Sequence, residues 1–201
     1  MHHNDQDTGI AHWHTVQEDV SHDWKVLRMR SVSRVHAVDG RQGRFTIADA
    51  PAWVNIIPVT PAGEIVCVRQ FRHGTAEITT EIPGGIVEHG EDPRVAAERE
   101  CREETGFAAE GEAILLGTVE PNPAFMSNAC YTYLWMGCTK RGPQQLDANE
   151  DIDVAVVSFD AFVSMVRNGH VRHSLVLSAL ALYVLHTNGH EQWPIRKMTH
   201  E

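Results

Sequence analysis

The sequence predicts an α+β fold: a mixed sheet covered by helices and preceded by an antiparallel β-extension. Three observations carry this reading. β-type segments run from Trp24 to Ile82 and return from Ala113. One helix, Pro93–Thr105, is bracketed at both ends by its own sequence. A late apolar run, Ser174–Leu185, repeats at helical spacing through Leu175, Val176, Ala179, Leu182 and Leu185, so it covers a core. Mixed strands with segregated helices imply either α+β or a sheet sandwiched by helices. The 201 residues suit one ordinary domain plus an extension, and 42% hydrophobic residues suffice for a buried core.

Taken in order, residues 1–22 are polar, rich in His and Asp and aperiodic, which predicts a flexible N-terminal arm. Residues 23–50 form the β-extension. Trp24–Arg30, Val32–Val38 and Arg44–Ala50 read as its strands, with turns at Asp39-Gly40 and Gln42-Gly43. The main domain occupies residues 51–201. It opens on a hairpin, Trp53–Thr60 and Glu64–Arg69 around Pro61-Ala62-Gly63, followed by the β-type segment Thr75–Ile82 and a Pro83-Gly84-Gly85 stop. Asp92 is placed to cap the helix, Pro93 suits its first position and Gly106 its end. Strands return at Ala113–Val119, Cys130–Met136 and Asp151–Val157, and helices follow at Asp160–Arg167 and Ser174–Leu185.

Composition excludes several classes. Seventeen basic and 27 acidic residues leave a net charge of −10, which repels phosphate backbones and argues against a nucleic-acid partner. A phosphate substrate would need positive charge from elsewhere. The apolar stretch Leu175–Leu185 is too short to span a bilayer, so no membrane partner is expected. The N-terminus lacks the basic-then-apolar order of a secretion signal. Cys67, Cys101, Cys130 and Cys138 show no C-x-x-C spacing, which predicts reduced thiols in a cytoplasmic protein. His12/His14 and His170/His173 have ligand-like gaps but no accompanying Cys or carboxylate cluster, and read as surface histidines.

The Pro93–Thr105 helix breaks the amphipathic rule. Glu100, Glu103 and Glu104 span an arc of roughly 100° on a helical wheel, and Ala96, Ala97 and Cys101 lie within or beside it. Small, buriable residues therefore share a face with three carboxylates. Burying unpaired carboxylates is costly, so this face either meets cations in a cleft or is a solvated run of Glu–Arg pairs. Hard divalent ions such as Mg²⁺ take carboxylate oxygens together with substrate phosphates.

The flanks extend the pattern. Gly85, Glu91, Arg99, Glu100, Glu103, Glu104, Gly106 and Phe107 stand as G-x5-E-x7-R-E-C-x-E-E-x-G-F. This resembles the Nudix box of nucleoside-diphosphate-X hydrolases at every fixed position. The one departure is Cys101, where the family usually carries a larger aliphatic residue. The resemblance implies an α/β/α sandwich around a mixed sheet and a Mg²⁺- or Mn²⁺-dependent pyrophosphatase. It implies that Glu100, Glu103 and Glu104 are metal ligands with catalytic roles, that Gly85 supplies a backbone carbonyl to the metal, and that Glu91 and Arg99 orient the site.

Outside the box, Arg69-Gln70-Phe71-Arg72 followed by Glu81-Ile82-Pro83-Gly84-Gly85 resembles the ADP-ribose and nucleotide-sugar pyrophosphatases, over roughly residues 24–187. The resemblance implies that Arg72 and Arg69 clamp a diphosphate, that Glu81 contacts substrate or the metal's surroundings, and that Pro123 marks this subgroup. Trp53 either stacks on a nucleobase or is a core residue. Glu150, with Asp151 as neighbour, matches the loop Glu that serves such enzymes as general base; Glu103 is the alternative. The expected substrate is a nucleoside diphosphate sugar of the ADP-ribose or GDP-mannose type, and the expected assembly is a homodimer exchanging residues 24–50. A nucleoside triphosphate or dinucleotide pyrophosphohydrolase, and a non-catalytic ADP-ribose-sensing module, are the competing readings.

Overall fold

A computed structural model describes residues 11–24 and 26–187. These fall into two compact units. One comprises the extension up to Ala50 together with Asn122–Ser127; the other comprises Pro51–Pro121 and the chain from Asn128.

In the first unit, β1 (Trp13–Trp24), β2 (Leu27–His36) and β3 (Gln42–Asp49) form an antiparallel sheet in sequence order. Two expectations are corrected here. Residues 13–22 are not a loose arm but most of β1, paired from Trp13↔His36 to Trp24↔Leu27. Their polar sequence reflects exposure on a sheet edge, with no alternation for a pattern search to find. The separate strands expected at Trp24–Arg30 and Val32–Val38 are one strand, β2, because nothing at Ser31 turns the chain. The rest of the arm, residues 1–10, lies outside the described residues. Val32 and Ala48 are buried in this unit, and polar contacts supplement their packing. Arg30 donates to Asp49 through Nε (2.5 Å) and Nη2 (3.0 Å) and to Glu18 through Nη1 (2.6 Å). Ser127 Oγ donates to Asp49 Oδ1 at 2.6 Å, which ties the distant 122–127 segment into this unit.

The second unit carries the larger core. Its main sheet runs β12 (Ile152–Ser158), β5 (Glu64–Arg72), β4 (Trp53–Val59), β10 (Cys130–Met136), β9 (Ile114–Val119). β6 (Glu77–Glu81) pairs with β5, and β7 (Gly84–Ile86) with β4. β4 and β10 are parallel and the other pairs antiparallel, so the sheet is mixed. β8 (Phe107–Ala108) and β11 (Thr139–Lys140) make a small separate ladder. β4 is buried along nearly its whole length because helices cover both its faces. Val54 and Ile56 pack under α1 (Pro93–Thr105). Ile57 and Val59 face the cluster completed by α2 (Phe159–Arg167) and α3 (Ser174–Thr187). This is the expected α/β/α sandwich. Among the described residues no helix is long and apolar enough to cross a membrane.

The stops of α1 are local chemistry. The Asp92 carboxylate accepts from Arg94 N and Val95 N, and Pro93 begins the helix. Gly106 ends it at φ +71°, and a Cβ there would sit 2.2 Å from the Gly142 carbonyl oxygen. Gly106→Ala therefore meets both left-handed strain and a backbone clash. It is expected to cost more than the ~1 kcal/mol of the cap variant Asp92→Ala, each kcal/mol lowering Tm by about 2–4 °C in thermal unfolding.

Candidate active site

The site begins with the close approach of α1 to the sheet. Ala96, Ala97 and Cys101 are fully buried, so no bulky side chain holds the helix away. Cys101 packs in the cluster with Trp135 and Cys138, filling the place where a larger aliphatic residue would be usual. That approach carries the carboxylate face of the helix to Gly84-Gly85. Glu104 is 4% exposed, and its Oε2 accepts a hydrogen bond from Gly84 N at 3.0 Å. A Cβ on Gly85 would lie 2.4 Å from the Glu100 carboxylate, so any other residue there would push that carboxylate from its place.

Arg99 organises the outer side of the cluster. Its Nε and Nη2 donate to the two oxygens of Glu91 at 2.9 and 3.0 Å, and Nη2 also donates to the Ile86 carbonyl at 3.1 Å. Nη1 reaches Glu100 (2.8 Å) and Glu103 (2.9 Å). Through these contacts Arg99 ties the helix to the strand below it and to Glu91 in the loop before it.

Inside the cluster, positive charge is short. Burial pushes the Glu104 carboxyl up to about 8, against the Gly84 hydrogen bond, and the charges of Glu100 and Glu150 push the same way. Burial also raises Glu100, with Arg99 opposing. Among the described residues, no three His, Cys, Asp or Glu side chains already converge as a set of cation ligands. Arg99 holds Glu100 and Glu103, and Glu104 is turned to Gly84. The donor chemistry nevertheless suits a hard divalent ion: acceptor-only carboxylates, Glu104 buried and Glu100 half-buried, beside a glycine whose missing side chain leaves its backbone approachable. Binding would require Glu100 and Glu103 to exchange Arg99 for the ion.

A cavity of about 910 Å³ adjoins this cluster at Gly84 and Gly85. Trp53, Asn55, Arg72, Glu81 and His173 are among its lining residues. Arg72 donates to Glu81 through Nε and Nη2, both at 2.8 Å. Burial pushes the Glu81 carboxyl up, but hydrogen bonds from Arg72 and Thr79, with His173 close by, outweigh it and hold the group well below the usual carboxylate range. Arg69 is elsewhere. Three positions from Arg72 on the same strand, it presents to the opposite face and pairs with Asp153, both side chains being more than half exposed. Of the two arginines expected to act together, Arg72 lines the cavity and Arg69 does not.

The loop before β12 places Glu150 near enough for its charge to act on Glu100, Glu104 and Arg72. Its Oε2 accepts from Asp147 N at 2.9 Å. Two residues that spacing did not reveal complete the arrangement. Gln144 Nε2 donates to the carbonyls of Glu104 (2.7 Å) and Ile152 (2.9 Å), linking this loop to the end of α1. His173, expected as a surface residue, lies with Nδ1 3.0 Å from Glu81 Oε2, within ion-pair distance though off the line of a straight hydrogen bond. Neither residue has its partner at a spacing that marks a motif.

The NUDIX domain model matches residues 50–180, the span that holds the whole carboxylate cluster and its glycine pair. The chain belongs to the Nudix family. It is a Nudix hydrolase, and its similarity runs to the ADP-ribose pyrophosphatase group. It is 28% identical to the methanol dehydrogenase activator of Bacillus methanolicus over 83% of this chain and 89% of that protein. It is also 28% identical to the ADP-ribose pyrophosphatase of Bacillus subtilis (strain 168), over 70% of this chain and 76% of the relative. The crystal structure of an ADP compounds hydrolase superposes with a TM-score of 0.78, covering 91% of this chain and 99% of its own, at 18% identity; this likeness concerns the fold.

The strain in the Nudix carboxylate cluster has a measurable consequence. Unfolded, Glu104 ionises at the ordinary carboxylate pKa of 4.5; folded, it keeps its proton until about pH 8. The native state then binds the extra proton, so cation-free protein loses stability as pH rises through that window. Glu104→Gln, which keeps an acceptor for Gly84 N, is expected to flatten this slope and to raise Tm at pH 8 in chelator, as read by thermal unfolding from pH 5 to 8.5.

Proposed function

We propose that this Nudix hydrolase cleaves the pyrophosphate bond of a nucleoside diphosphate sugar, of the ADP-ribose or GDP-mannose type, to a nucleoside monophosphate and a sugar phosphate. The observation that carries the reading is the junction of two chemistries at Gly84-Gly85: an arginine-lined cavity on one side and an under-compensated carboxylate cluster on the other. The similarity to proteins named ADP-ribose pyrophosphatases supports the substrate class.

In this reading Glu100, Glu103 and Glu104 and the Gly85 carbonyl would hold Mg²⁺ or Mn²⁺. A divalent cation there supplies positive charge against the charge that builds on the phosphate oxygens. The remaining work falls to the chain's own groups. Arg72, its Nε and Nη2 committed to Glu81, offers Nη1 to the diphosphate. Trp53 in the cavity wall stacks on the base. A water oxygen attacks phosphorus, the P–O anhydride bond breaks, and Glu150 takes the water's proton. Glu103 is the second candidate for base. Arg99 and Glu91 keep α1 in register throughout.

The extension is proposed as a homodimer element. β1 is an edge strand exposed along eleven of its twelve residues, and it carries Val16, Val20 and Trp24 at 62%, 48% and 54% exposure. An exposed edge strand that carries three such apolar side chains among its polar ones calls for a partner strand or surface. The four cysteines are free and buried, and burial pushes Cys67 and Cys130 up to about 12, which supports inert thiols in a reducing, cytoplasmic setting.

Incubation with ADP-ribose, GDP-mannose, ATP and dinucleotides in Mg²⁺ is expected to release AMP or GMP with a sugar phosphate; release of inorganic pyrophosphate from ATP alone would reject the substrate class. Glu104→Gln is expected to lose at least about a hundredfold in rate and to weaken Mg²⁺ binding. Glu150→Gln should lower kcat by about two to four orders of magnitude with little change in KM. Light scattering at micromolar concentration should give twice the chain mass, and a fully active monomer would refute the dimer.

A further inference from the structure

The turn between α2 and α3 is tied to β6 twice. Arg172 pairs with Glu77, and His173 Nδ1 lies 3.0 Å from Glu81 Oε2. Glu77 and Glu81 stand four residues apart on one strand and so share a face. Two consecutive basic side chains thus meet the acids at the two ends of β6, in the wall of the cavity.

The Glu81 contact matters most for the proposed chemistry. The side chain of Glu81 is 2% exposed, so its charge must be answered within the protein. Oε1 takes Arg72 Nε and Thr79 Oγ1; Oε2 takes Arg72 Nη2 and faces His173. Arg72 is itself 44% exposed and has no other anchor among the described residues, so the setting of Glu81 decides where its guanidinium points. His173 is 37% exposed and lies outside both core clusters.

We infer that His173 is a positioning residue, which holds the Glu81 carboxylate and through it aims Arg72 into the cavity. The kinetic consequence rests on Arg72 contacting the substrate diphosphate; the structural consequence does not. The test compares His173→Leu with His173→Asn in the full-length protein, since the Asn amide nitrogen takes the place of Nδ1 and leaves Nε2 unreplaced.

In cation-free ¹⁵N-labelled protein, the Arg72 Nε–H signal is expected to exchange about tenfold faster with solvent in His173→Leu and to recover in His173→Asn. With ADP-ribose and Mg²⁺, KM should rise about tenfold in His173→Leu with kcat within about threefold, again recovering in His173→Asn. An Arg72 signal unchanged in a folded His173→Leu protein overturns the inference. So does failure of His173→Asn to restore it, which would mean that His173 acts through Nε2 instead. A wild-type protein that hydrolyses no nucleotide sugar would overturn the proposed function, while the Arg72 signal would still decide the role of His173.

Discussion

Glu104 is buried at the seam between a helix and a glycine pair, with its carboxylate against Gly84 N. Water cannot solvate it there, and the nearest fixed donor is a single backbone amide. The rest of the site follows from that constraint. The helix reaches the seam because Ala96, Ala97 and Cys101 take up almost no room, and the strand admits it because Gly85 carries no side chain to meet Glu100. A folded state that keeps such a group is less stable than it would be without it, as expected of a site organised for binding charge.

Two arginines answer the surrounding carboxylates in different ways. Arg99 spends its donors on Glu91, Glu100, Glu103 and the Ile86 carbonyl, all within reach of one helix face and one strand. Its work is to keep α1 registered on β7. Arg72 spends two donors on one buried carboxylate and keeps a third in the cavity wall. One arginine closes a network; the other faces the cavity and is aimed from behind. The loop of Glu150 is held to this region by Gln144, which bonds the last turn of α1 and the first residue of β12.

Much of this was legible along the chain because it is local. Asp92, Pro93 and Gly106 set the ends of α1 through contacts within a few residues, and the spacing of Glu100, Glu103 and Glu104 places them on one helix face whatever the surroundings. The carboxylates, the glycine loop and the strand that precedes them lie within a window short enough to form a recognisable pattern. The β-extension was less legible. β1 is polar and exposed along its length, so it lacks the alternation that marks a half-buried strand, and its pairing with β2 appears only in three dimensions.

The sequence by itself determined the α1 carboxylate face, its glycine partners and the sandwich of helices on a mixed sheet, since helical period, capping and strand patterning act over a few residues. Tertiary structure alone decided that Arg69 leaves the site for Asp153, that Gln144 holds the loop of Glu150, and that His173 reaches Glu81. Each of these depends on where a strand face or a turn lands after the sheet has assembled. Such contacts join residues far apart in the chain, and no spacing within the sequence records them.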